Sequence, residues 1–168
     1  MIIFLIGFMG SGKTTLGKRL AKKIDYRFTD MDHFLEEKEG MKVSEIFEQK
    51  GEKYFREMEK AFLESLEVEE NVVIATGGGA PCWGQNMEIM NQKGVTVYLK
   101  MSPASLASRL EKARTIRPLI AGLEPEHLQH YIEKKLQERE PWYNKARCVV
   151  RGENVKPFHV SSLVFGDA

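Results

Sequence analysis

Two cysteines, six prolines and a net charge of +1 exclude several kinds of protein before any motif is read. Cys82 and Cys148 lie far apart and lack metal-site spacing, so the chain is neither a disulfide scaffold nor a zinc module. Two free thiols in a reducing compartment are expected instead. The 25 basic side chains are balanced by 24 acidic ones, which removes the cation surplus that non-specific nucleic-acid binding needs. No apolar run approaches the ~18 residues that cross a bilayer. The start, MIIFLIGFMG, has no basic leader and no small-residue cleavage site, and glycines and Lys13 interrupt it early. The expectation is one cytoplasmic domain over residues 1–168, monomeric, with no membrane or nucleic-acid partner. It carries no repeats, low complexity or internal linker.

What is present is an alternation of strand and helix signals. Ile2–Ile6 is a continuous apolar run, as in a strand buried on both faces. Lys13–Ile24 has Leu16, Leu20 and Ile24 at helical spacing. Tyr26–Thr29 is a short strand ending at Asp30. Val43–Leu66 reads as helix broken near Gly51. Val72–Ala75 and Val95–Leu99 are strands separated by a helix near Asn86–Lys93. Ser102 followed by Pro103 is a helix start. Ala113–Pro125 reads as a loop, Glu126–Tyr143 as helix and Cys148–Val150 as a fifth strand, with one short helix in the tail. Such alternation predicts a parallel α/β sheet covered on both faces, with ligands beyond the carboxyl ends of the strands.

Three stretches that look chemical fall at those ends. In GFMGSGKTT, Gly7, Gly12, Lys13 and Thr14 satisfy the phosphate-loop pattern. Glycines let backbone amides wrap an anion, and the following helix turns its positive end toward it. Gly10, Ser11, Gly12, Lys13, Thr14 and Thr15 are the candidate triphosphate ligands, with Lys13 reaching the outer phosphates and the Thr14 hydroxyl available to Mg²⁺. The stretch is therefore expected to hold a nucleoside triphosphate.

FTDMDHFLE places Asp30 and Asp32 two apart, which in an extended chain puts both on one face. One could serve the metal shell and the other take the acceptor proton; a solvated acidic turn or helix cap is the plainer alternative. Gly77–Gly79 suggests a ligand close to the backbone, or simply a turn. Arg109, Arg114 and Arg117 lie in and around the loop that could close over a triphosphate, or that only links helices. Arg56 and Arg139, each read alone, are ordinary surface charges.

Together and in order, these segments resemble the shikimate kinase family across nearly the whole chain. The resemblance rests on GFMGSGKTTLGKRLA, DMDHFLEEKEGMKVSEIFEQKGEKYFREME, TGGG, RPL and REPWY. It implies a three-layer phosphate-loop kinase fold with five parallel strands in the order 2-3-1-4-5, a substrate-binding region over about 32–62 and a lid over about 112–125. It implies ATP-dependent phosphorylation of the 3-hydroxyl of shikimate. Carried over residue by residue, Asp32 binds the acceptor hydroxyls and acts as base, while Arg56 and Arg139 grip the carboxylate. Gly77, Gly78 and Gly79 line the ring. Thr14 ligates Mg²⁺ with Asp30 assisting through water, Lys13 and Arg117 contact the phosphates, and Arg109 or its rival Arg114 stacks on adenine. A gluconate-type or nucleoside monophosphate kinase, or a non-catalytic nucleotide-binding module, are the competing readings.

Overall fold

A computed structural model of the chain describes residues 1–113, 120 and 122–166. Arg114, Arg117 and half of the expected lid lie outside the described residues.

The strands are β1 (Ile2–Ile6), β2 (Arg27–Asp30), β3 (Val72–Ala75), β4 (Gly94–Lys100) and β5 (Cys148–Arg151). They form one sheet in the order β2-β3-β1-β4-β5, every pair parallel. The helices are α1 (Lys13–Ile24), α2 (Met31–Glu39), α3 (Val43–Lys50), α4 (Glu52–Ser65), α5 (Asn86–Lys93), α6 (Pro103–Lys112), α7 (Pro125–Tyr143) and α8 (Pro157–Phe165).

The unbroken apolar run of β1 follows from its central place. Ile3 and Leu5 point into a core with Leu16 and Leu20 of α1 and Val160 of α8. Ile2, Phe4 and Ile6 point into a second core built from α2 to α7. A strand with a core on each side has no polar face to alternate. The connections from β1 to β2 and from β3 to β4 leave in opposite directions across the sheet, which opens a crevice at the carboxyl ends of β1 and β3.

One expectation needs correction. Asp30 and Asp32 do not share an extended chain, because β2 ends at Asp30 and α2 begins at Met31. Asp30 is the N-cap of that helix, its side chain accepting from the His33 amide at 3.3 Å. The helix was masked in the sequence by its thin apolar stripe: only Met31 and Leu35 are buried, and Phe34 is exposed. Gly40 ends it in the left-handed conformation, φ 73°. A short 3-10 turn at Ala80–Cys82 also went unseen. Both cysteines are free.

Candidate active site

The loop from Gly7 to Gly12 joins β1 to the N-terminus of α1. Gly7 and Gly12 have φ of 147° and 90°, a region that side chains strain to enter. The Lys13 ammonium folds back over the loop, donating to the carbonyls of Gly7 at 2.8 Å and Phe8 at 2.9 Å. Ser11 is buried with a hydroxyl oxygen that has no hydrogen-bond partner, while Thr14 and Thr15 face outward at the start of α1. The Thr14 hydroxyl donates to an Asp30 carboxylate oxygen at 2.5 Å. Helix α6 closes one side: a methyl group on Gly12 would lie 3.1 Å from the Arg109 guanidinium, which also donates to the Glu153 carbonyl at 3.4 Å. Arg109 therefore lies over the phosphate loop.

Beside this loop, the turn after β3 gathers four charged side chains. A Cβ on Gly77 would stand 2.8 Å from Glu59 Oε1 and 2.9 Å from Asp32 Oδ1. On Gly78 it would meet Arg139 Nη1 at 3.3 Å and the Met9 amide at 3.4 Å, and on Gly79 it would collide with the Arg56 guanidinium. None of the three has a left-handed φ. Their lack of side chains serves close approach, and what approaches is the protein's own charged groups. Tyr143 fixes the turn, its hydroxyl donating to the Gly78 carbonyl at 2.5 Å.

Arg56 is not a surface charge. It is 6% exposed and bonds Glu59 at 2.8 Å and Glu52 at 3.1 Å. Asp32 Oδ1, Glu59 Oε1 and Arg139 Nη1 are buried without a hydrogen-bond partner among the described residues. Buried polar atoms are nearly always satisfied, so two carboxylate oxygens and one guanidinium nitrogen around a single turn form a donor and acceptor set that suits a molecule bearing hydroxyls and negative charge. Burial raises the Asp32 carboxyl above its usual range, with neighbouring Asp30 adding to the rise and Lys13 and Arg56 opposing it.

Glu59 was missed in the sequence, although a signal exists. It falls with Phe55, Phe62 and Leu63 on the stripe of α4 that faces the core. A carboxylate in such a stripe needs a cation, and Arg56 one turn earlier supplies it. Burial still pushes its pKa from 4.5 up to about 7. The folded chain thus binds the extra proton between those pH values, so this group's stabilising contribution is full below 4.5 and lost as pH rises through 7. Urea denaturation across that window should show wild-type stability declining more steeply than that of Glu59→Gln; parallel profiles would contradict the assignment.

A five-stranded parallel sheet, a phosphate loop opening a helix and a cluster of buried charged groups at the crevice beside it define a phosphate-loop kinase of a small molecule. The family model described as shikimate kinase matches residues 9–163. A shikimate kinase from Parabacteroides distasonis is 45% identical over 153 residues, 91% of this chain and 88% of that one. The crystal structure of shikimate kinase from Bacteroides thetaiotaomicron superposes with a TM-score of 0.88 at 42% identity, covering 98% of this chain and 94% of the other. That of the Acinetobacter baumannii enzyme, described as a complex with shikimate, gives 0.86 at 32% identity over 98% and 92%. The chain belongs to the shikimate kinase family. A gluconokinase from Sinorhizobium meliloti, at 16% identity and a TM-score of 0.58, shares the fold alone.

Proposed function

We propose that this chain transfers the γ-phosphoryl group of ATP to the 3-hydroxyl of shikimate, giving shikimate 3-phosphate and ADP in aromatic amino-acid biosynthesis. The observation that carries the substrate is the meeting of Arg56, Arg139 and Asp32 at Gly77–Gly79, directly beside the phosphate loop. Two guanidinium forks suit a planar carboxylate, and one carboxylate suits ring hydroxyls.

In this reading the loop amides and Lys13 hold the phosphates, Lys13 exchanging the Gly7 and Phe8 carbonyls for phosphate oxygens. Arg109 covers the nucleotide from α6. Arg56 and Arg139 fix the acid end of shikimate, which aims its ring hydroxyls at Asp32. Asp32 accepts the proton of the attacking hydroxyl; its raised pKa brings a carboxylate closer to that task at neutral pH. The Thr14 hydroxyl and Asp30 are hard oxygen donors already within hydrogen-bond contact, a set that suits Mg²⁺ sharing its remaining shell with phosphates and water. Bound there, the ion would neutralise phosphate charge, Thr14 holding it and Asp30 assisting through water.

ADP release coupled to shikimate, with gluconate as the competing acceptor, tests the reading: turnover with gluconate and none with shikimate would replace it. Arg139→Ala should raise the shikimate KM by about tenfold, the worth of one or two charge-assisted hydrogen bonds. The ATP KM should stay near the wild-type value, and equal damage to both would contradict the role given to Arg139.

A further inference from the structure

We propose that Phe8, a residue of the phosphate loop, positions Arg139 for the acceptor carboxylate by holding its guanidinium against the face of the ring. Arg56 has two carboxylates to orient it, Glu52 and Glu59. Among the described residues Arg139 has no ion-pair partner: its chain neighbours Glu138 and Glu140 pair with Lys135 and Lys100, the Glu59 carboxylate attracts it only from beyond ion-pair distance, and its Nη1 is buried without a hydrogen-bond partner. A guanidinium with five donors and no anion keeps one orientation only if something else restrains it. That restraint is the Phe8 ring, whose centroid lies 5.3 Å from the guanidinium carbon, within cation–π range. The Gly78 backbone lies against the same guanidinium, and the Tyr143 hydroxyl interacts with it from α7.

Phe8 is itself immobile. It is 1% exposed, and its carbonyl accepts from the Ser11 amide at 3.2 Å and from Lys13 at 2.9 Å. One residue thus belongs through its backbone to the phosphate site and through its side chain to the acceptor site.

The proposal rests on the shikimate kinase reading and is tested by a double-mutant cycle. Phe8→Leu should raise the shikimate KM by about fivefold to tenfold, the loss expected of a desolvated cation–π contact, and the ATP KM by clearly less, since the backbone carbonyl that meets Lys13 is kept. Phe8→Tyr, which keeps the ring, should restore the wild-type value. In an Arg139→Ala background Phe8→Leu should add nothing, because it acts through the missing guanidinium. Phe8→Met, of similar volume without an aromatic face, carries the same test if Phe8→Leu is unfolded in urea titrations. An unchanged shikimate KM, equal rises in both KM values, or additive effects in the Arg139→Ala background would each overturn the proposal. A wild type without shikimate-dependent ADP release would instead overturn the functional reading.

Discussion

Asp32→Asn is expected to lower turnover by on the order of 10²-fold or more while the protein stays folded. The amide has the shape of the carboxylate, and Asp32 Oδ1 makes no hydrogen bond that the substitution would break. What the amide cannot do is take the proton from the attacking hydroxyl. The Thr14–Asp30 contact does not involve Asp32, so nucleotide affinity should change little. Steady-state ADP release with far-ultraviolet circular dichroism on the same sample decides the matter. Turnover equal to wild type removes Asp32 from the role of base. The wild-type rate should also fall on the acid side as the carboxyl, raised by burial, takes up its proton.

Gly79→Ala should raise the shikimate KM by about a hundredfold, since a methyl group there would occupy the space of the Arg56 guanidinium. Arg56 is a long side chain and could swing away, but the swing would break its bonds to Glu59 and Glu52. Glu59 would then be left buried without its cation, which adds a loss of folding stability of roughly 3 kcal/mol. Because the phosphate loop is untouched, the ATP KM should hold. Shikimate titration and urea denaturation of the variant check the two effects separately. A wild-type shikimate KM would mean that Arg56 does not bind the carboxylate from this position.

Both expectations turn on a pocket whose parts were visible in the sequence and whose assembly was not. The triple glycine stood out after a buried strand, yet its spacing could not distinguish a ligand's approach from a turn. The structure gives a third answer: Gly77–Gly79 admits Asp32, Glu59, Arg139 and Arg56 to the backbone. Arg56 and Arg139 each looked like a surface charge because a helical arginine is usually exposed, and only the resemblance to a family paired them. Glu59, Phe8 and Tyr143 fall inside the stretches that carry the resemblance, but nothing in the sequence gave any of them a role. The aspartates were legible as a pair, but the helix that turns Asp32 inward begins between them.

The strands of the sheet, the phosphate loop and the helix that opens from it were legible without the structure. Those depend on neighbours in the chain: apolar runs, glycines at positive φ, and hydroxyl or proline signals at helix starts. Only the packing of distant elements settles which charges are buried, and that side chains of α2, α4 and α7 meet at the turn after β3. Burial and pairing are set by elements distant in the chain packing together, and a charge's environment is not written in its own neighbours.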